Sequence, residues 1–209
     1  MKSRTRLAWP RIASMVGGLL VFLCAPPLAA AAEPGAFFVT SVAEKKLTAL
    51  PSGILYWRVE TFPEPEQARA AAAVSATSLT ATVDGKAWLF TLGPMGGATQ
   101  GGTKVAEIGP VPRITAPEYL LRINHAGGPP GAKTPVHSHP GSETFYVLGG
   151  QVTQRTPDGA SHAEAGQSAV GHGADMPMEV SSSGGADLNL LVMFVLDATK
   201  PFSTPAKIE

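Results

Sequence analysis

The sequence predicts an all-β fold, a sandwich or barrel of short strands. Glycine and proline are frequent, with 23 and 19 residues among 209, whereas aromatic residues make up only 7%. Short apolar or alternating segments recur between turn-forming residues along most of the chain, and this is the pattern of many short strands joined by turns. Only one short segment has the composition of a helix.

The first 32 residues are predicted to be a signal peptide rather than part of the fold. Four basic residues lie between Lys2 and Arg11, the stretch 12–23 is mostly apolar, and four alanines occupy 29–32. This is the layout of a secretory signal with small residues at its cleavage site. The alternatives are a retained membrane anchor and a lipid-modified Cys24, but the apolar stretch is short for a span of about 20 residues. We therefore expect a periplasmic or secreted protein.

Cleavage would change the charge and remove the only cysteine, Cys24. Four of the 16 basic residues lie in the signal and none of the 16 acidic ones, which leaves a net charge of −4. A chain with this balance has no basic surface for nucleic acid or for an anionic membrane. We expect no disulfide, no nucleic-acid partner and no membrane contact after cleavage.

Residues 33–115 are predicted to form an extension of extra strands with one short helix. The helix is expected over 63–73, because proline and acidic residues precede a run of alanine. Asp84-Gly85 separates two strand-like segments, and this pair is a strong hairpin signal. Strands are predicted at 37–42, 54–62, 79–83, 86–92 and 104–108.

The second half of the chain is predicted to contain most of the strands. The run 188–196 is almost continuously apolar, as expected of a strand that is buried on both faces. Residues 201–209 are predicted to be a tail. The other strands are expected at 118–124, 144–148, 151–155, 161–164, 166–172 and 178–182.

The segment His137-Ser-His139-Pro-Gly-Ser-Glu143 carries the clearest chemistry in the chain. Two histidines at i and i+2 on a strand point to the same face, and Glu143 has the same odd parity after the bend at Pro140. Two imidazoles and one carboxylate suit a divalent transition metal with open coordination positions. Glu143 could instead act as a catalytic acid or base if it does not bind metal.

The spacing G-x5-H-x-H-x3-E-x6-G between Gly131 and Gly150 resembles the first signature motif of the cupin superfamily. The resemblance implies a double-stranded β-helix, the jelly-roll or cupin barrel, over residues 116–200. It leaves 33–115 as an extension or as a degenerate second cupin. All five histidines follow residue 124, so the first half cannot repeat the metal site. The implied cofactor is a divalent metal, Fe, Mn, Zn, Ni or Cu.

The chain departs from the second cupin motif, which normally supplies a third histidine. Met178 takes the place of that histidine, and a register shifted by two residues puts Met176 there. A methionine thioether ligand would favour copper. His172 is another candidate ligand. The remaining alternatives are a site with three ligands and a barrel that binds no metal.

Two functions follow from the resemblance. The first is a metal-dependent oxygenase, isomerase or lyase acting on a small organic acid or a phenolic compound, with His137, His139 and Glu143 as ligands. The second is a non-catalytic module that binds a metal or a small ligand, which the missing third histidine favours. A homodimer is also expected, since cupins often pair through barrel edges.

Overall fold

The computed structural model of the protein describes residues 35–209, so the predicted signal peptide lies outside the described residues. Within 35–209 the chain forms fourteen strands and a single helix, α1 (Pro65–Ala73). No helix in this part of the chain is long and apolar enough to span a membrane. The strands are β1 (Phe38–Leu47), β2 (Tyr56–Phe62), β3 (Ser78–Val83), β4 (Lys86–Gly93), β5 (Thr103–Ile108), β6 (Tyr119–Gly128), β7 (His137–Ser138), β8 (Gly141–Gly149), β9 (Gln151–Thr156), β10 (Gly159–Glu164), β11 (Ser168–Val170), β12 (Glu179–Ser182), β13 (Leu188–Asp197) and β14 (Thr204–Pro205).

Two antiparallel sheets form the barrel. One has five strands in the order β1-β6-β13-β8-β11, and the other has three in the order β10-β9-β12. Side chains from both sheets meet between them, including Phe145, Val152, Val180 and Leu190. These positions alternate along their strands, because successive side chains of a strand point to opposite faces. The all-β jelly-roll fold predicted from the sequence is confirmed.

The extension covers the outer face of the five-stranded sheet. Four strands of the segment 33–115, in the order β3-β4-β2-β5, contribute the fully buried Trp57 and Phe90 to a second core. The first strand of that segment, β1, instead pairs with β6 in the barrel. Leu191 and Met193 of β13 pack into this second core, whereas Leu190 of the same strand packs into the barrel. β13 is therefore buried on both faces, as its continuous apolar sequence predicts.

The local turn and helix predictions for the extension are also confirmed. Asp84 and Gly85 have φ values of 51° and 71°, the two positive angles that a type I′ hairpin turn requires. Helix α1 begins two residues later than predicted, with Pro65 in its first turn. Its buried Ala68 packs against Leu89 of β4, so the helix lies on the same sheet as the hairpin.

The last residues of the chain return to the barrel. Thr204 and Pro205 of β14 pair with Ser138 and His137 of β7, and the Ala206 N–H donates to the Val136 carbonyl at 3.1 Å. The segment 201–209, predicted as a tail, thus adds a short strand next to the histidine motif.

Candidate functional site

The motif residues are positioned by a sharp connection between β7 and β8. His137 exchanges backbone hydrogen bonds of 2.9 and 2.7 Å with Met178, which ties the motif to the segment leading into β12. Gly141 begins β8 against β13, and a Cβ atom there would lie 2.1 Å from the Val195 carbonyl oxygen. The glycine of the motif is therefore required by the close approach of two strands.

A cavity of about 230 Å³ opens inside the barrel beside the motif. His137, His139 and Glu143 line one side of it, and Phe145 continues the wall, as the alternation along β8 predicts. Tyr146 points the other way and contacts Trp88 of the extension. Most other lining side chains are apolar, among them Phe37, Val39, Ala126, Val180, Leu190, Val192, Phe194 and Phe202.

Backbone carbonyls hold both histidines of the motif. His137 Nδ1 lies 2.8 Å from the Pro135 carbonyl oxygen, and His139 Nδ1 lies 2.7 Å from that of Phe202. A carbonyl oxygen can only accept, so each Nδ1 carries the hydrogen, and in the neutral form of each ring Nε2 keeps a free lone pair. This tautomer is the one in which Nε2 binds a metal ion.

Glu143 is the most unusual acid in the site because its carboxyl group is buried. Its Oε2 lies 3.8 Å from His139 Nε2, and the two side chains are only 3% and 4% exposed. Burial raises the pKa of Glu143 to about 8, against the opposing effect of a hydrogen bond from Gln154. Burial also lowers the pKa of His139 to about 4, while its bond to the Phe202 carbonyl opposes this and the charges of His137 and Arg122 add to it.

Gln154 is a site residue that the sequence reading missed. Its Nε2 donates to Glu143 Oε1 and lies 3.3 Å from the Met178 sulfur. Because Oε1 is occupied in this way, Oε2 is the carboxylate oxygen that faces His139. The only signal in the sequence is a polar residue at an inward position of β9, between the buried Val152 and Thr156.

Phe202 is a second residue that the sequence reading missed. Its ring centroid lies 4.7 Å from that of His139 and 5.2 Å from that of Phe194, and the Arg122 guanidinium lies 4.0 Å from its centre. The ring and carbonyl of Phe202 therefore both contact the site. An aromatic residue directly after Pro201 was the only hint of this role.

The other predicted ligands take different places. Met178 is 1% exposed and contacts Gln154, but it is not among the residues that line the described cavity, and neither are Met176 and His172. His125 bonds to Asn189, and His162 is exposed and bonds to Thr153. Among residues 35–209, no three His, Cys, Asp or Glu side chains converge closely enough to enclose a metal ion as they stand.

The paired donors nevertheless fit a divalent transition metal. Two atoms bound to a tetrahedral ion at about 2.1 Å each lie about 3.4 Å apart. His139 Nε2 and Glu143 Oε2 are 3.8 Å apart, so a side-chain shift of about 0.4 Å would give this spacing. His137 is adjacent, with its ring centroid 4.8 Å from that of His139. His139 and Glu143 are thus close enough to share an ion, and His137 is the nearest further donor.

One family model and several solved structures are similar to part of this chain. Residues 127–193 match the family Cupin_2, described as a cupin domain. The polyketide cyclase RemF from Streptomyces resistomycificus is similar to this chain, with 20% identity, 43% of this chain and 62% of that chain covered, and a TM-score of 0.35. The DMSP lyase DddQ from Ruegeria pomeroyi DSS-3 is 18% identical, with 43% and 44% covered and a TM-score of 0.37.

A cupin superfamily protein from Desulfitobacterium hafniense DCB-2 is 13% identical, with 37% of this chain and 68% of that chain covered and a TM-score of 0.33. This chain spans less than half the length of the DMSP lyase structures. No curated protein sequence matches it. The matched segment contains the histidine motif and lies in a barrel of eight-stranded jelly-roll type, so residues 127–193 of this chain are similar to a cupin domain.

Proposed function

We propose that the protein is a metal-binding cupin in which His137, His139 and Glu143 hold a divalent transition metal beside an apolar cavity. The cavity would take a small organic acid or a phenolic compound. The observation that carries the proposal is the pair of Nδ1 hydrogen bonds to backbone carbonyls. In the neutral rings these bonds leave both Nε2 lone pairs free next to a carboxyl group that, within residues 35–209, is bonded to no positively charged side chain.

The bound metal would polarise a ligand oxygen or lower the pKa of a bound water. The residues of the chain would orient the metal ligands and exclude water from the cavity. Gln154 holds one oxygen of Glu143, so the other oxygen stays directed toward His139. The apolar walls exclude water, and this strengthens electrostatic interactions inside the cavity. If Glu143 does not bind the metal, it is the residue that we propose would move a proton, since it is the only acid that lines the described cavity.

Oxygenase, isomerase and lyase reactions are the classes we propose to assay. A non-catalytic ligand-binding barrel is the second candidate, and one specific observation favours it. Met178 stands where the cupin motif has a histidine, and its sulfur is 3.3 Å from Gln154 Nε2. That side of the site is therefore filled by a thioether and an amide instead of a third imidazole.

Export is part of the proposal, with the mature protein acting in the periplasm or outside the cell. N-terminal sequencing of protein recovered from the periplasm tests it, because cleavage after the alanines at 29–32 would appear as a new first residue. We also propose a homodimer without nucleic-acid or membrane partners. Sedimentation of the purified protein tests the dimer.

The metal is tested by elemental analysis of protein purified without chelators or nickel resin. We expect close to one equivalent of a divalent metal in the wild type and its loss in the double variant His137→Ala/His139→Ala. His162→Ala is the matched control, because His162 is exposed on β10 and its side chain bonds to Thr153, away from the cavity. Glu143→Gln is expected to weaken metal binding without unfolding the protein.

The metal proposal fails if the wild type carries no metal after growth with Fe, Mn, Zn, Ni and Cu supplied, or if the double variant retains it. A metal that is retained without turnover of any acid or phenol would support the ligand-binding barrel. The metal found would then decide which reactions are assayed first.

A further inference from the structure

Asn124 faces the cavity from the wall formed by β6. The side chain is 1% exposed, and it is one of the few polar groups that line the cavity. A buried amide needs hydrogen-bond partners, because an unsatisfied buried donor or acceptor costs about 1–3 kcal/mol. The partners of Asn124 therefore indicate what the cavity is built to hold.

One half of the Asn124 amide is already occupied. The Arg122 Nε–H donates to its Oδ1 at 2.8 Å. Since Nε of arginine can only donate, the oxygen must be the atom that faces it, and this fixes which way the amide points. Within residues 35–209 the Asn124 Nδ2 group donates no side-chain hydrogen bond, whereas Asn189 uses both ends of its amide, toward His125 and Asp84.

The strand register places Asn124 in the same sheet as Glu143 of the motif, two strands along the cavity wall. In the five-stranded sheet, Asn124 is opposite Val192, and Val192 is opposite Phe145 of β8. Asn124 is thus two strands away from the wall that carries Glu143, or about 10 Å at about 4.8 Å per strand. A ligand that contacts the motif at one end can meet the amide N–H of Asn124 at the other.

The cavity size limits this ligand to about one ring. An apolar protein cavity of about 150 Å³ is known to hold benzene. The cavity here is about 230 Å³, which leaves room for one ring with small substituents at its two ends. Its walls are mainly apolar, so the body of the ligand should be mainly apolar too.

We infer that Asn124 is the residue that selects the ligand, a single-ring organic compound with a hydrogen-bond acceptor oxygen opposite its motif-facing end. The Nδ2 group donates to that oxygen, and Arg122 holds the amide in the donating orientation. This inference rests on the proposed function only in taking the cavity as the ligand site. It does not require the metal.

The chain offers a direct test, because Asn124 and Asn189 are its only asparagines. Protein labelled with [15N]asparagine should show two side-chain NH2 pairs by NMR, and Asn124→Leu assigns them. The probes are 4-hydroxyacetophenone, which has a carbonyl acceptor, and 4-isopropylphenol, which has the same shape without it. We expect the ketone to shift the Asn124 pair downfield and to leave the Asn189 pair in place.

Affinity provides the second readout, measured for both probes in wild type and in Asn124→Leu. The comparison uses the ratio of the two dissociation constants, which cancels the greater hydrophobicity of 4-isopropylphenol. We expect the preference for the ketone to fall by about 3- to 10-fold in Asn124→Leu, the value of one hydrogen bond. Asn189→Leu is the matched control and should leave the ratio unchanged.

The inference is overturned if both probes shift the Asn124 pair equally, if neither binds, or if the ratio is unchanged in folded Asn124→Leu. Repeating the titrations in His137→Ala/His139→Ala separates it from the metal proposal. A ketone preference that persists in metal-free protein supports Asn124 even if no metal binds. Metal binding without any Asn124 dependence would support the metal site alone.

Discussion

His139 Nε2 and Glu143 Oε2 lie 3.8 Å apart inside the barrel, yet the two groups do not form an ion pair near neutral pH. Burial lowers the pKa of His139 to about 4 and raises that of Glu143 to about 8. Each group is therefore neutral at pH 7 in the metal-free protein. A bound cation would reverse this for Glu143, because it stabilises the charged carboxylate.

In the metal-free protein, the contribution of Glu143 to stability should fall as pH rises from about 4.5 to about 8, whereas the lowered pKa of His139 makes an opposite contribution between about 4 and 6.5. In this window folded Glu143 keeps a proton that the unfolded chain, with an ordinary pKa of 4.5, has released, so deprotonation favours unfolding. Glu143→Gln should remove this fall. Urea denaturation across this pH range, with chelator present, gives the free energy of unfolding of both proteins. The difference between wild type and variant isolates the effect of Glu143 from that of other titrating groups. Parallel curves for the two proteins would contradict the raised pKa.

Gly171→Ala should disturb Glu143 directly. A Cβ atom at 171 would lie 2.7 Å from Glu143 Cγ and 2.9 Å from its carbonyl oxygen, too close without a shift of the strand or the side chain. We expect a loss of about 1–3 kcal/mol in the free energy of unfolding, with weaker metal binding. Gly173→Ala is the control, since its nearest atom would be Pro112 Cβ at 3.8 Å. Equal thermal stability of the two variants would contradict the prediction.

Phe202→Ala should lower stability and loosen His139. The ring contacts His139, Phe194 and Arg122, and we expect the variant to lose about 1–3 kcal/mol in the free energy of unfolding. NMR of the imidazole nitrogens should show that His139 no longer holds one tautomer. Phe38→Ala is the comparison, because Phe38 is 41% exposed. A single tautomer retained in folded Phe202→Ala would show that the ring is dispensable for positioning.

Met178→His should restore the third histidine of the cupin motif and strengthen metal binding. We expect the dissociation constant for Co²⁺, followed by its visible absorption, to fall by at least about tenfold. Met178→Leu keeps the volume and should cost less than about 1.5 kcal/mol without changing the affinity. If Met178→Leu instead loses the metal, the thioether is itself a ligand. This is one of the alternatives that the sequence left open.

Much of the fold could be predicted because its signals are local. Asp84-Gly85 marks a turn by its backbone angles, and the apolar run of β13 marks a strand without a solvent face. The odd parity of Glu143 and Phe145 was sufficient to place both on the cavity side of β8. Each of these inferences needs only neighbouring residues and the period of a strand.

Gln154 and Asn124 could not be assigned in the same way. Each is a polar residue at an inward position of a strand. Such a residue can have a structural or a functional role, and only its contacts show which. Gln154 contacts Glu143, eleven residues away, and the role of Asn124 depends on the order of three strands in the sheet. The part played by Phe202 depends on the return of the chain end to β7.

The sequence by itself determined the class of fold, the histidine motif and the face on which the motif lies. These follow from strand periodicity and residue spacing, which are properties of neighbours along the chain. Only the tertiary structure decided the tautomers of the two histidines, the partner of Glu143 and the size of the cavity. Those properties come from contacts between segments far apart in sequence, such as the Phe202 carbonyl on His139, and local patterns do not specify such contacts.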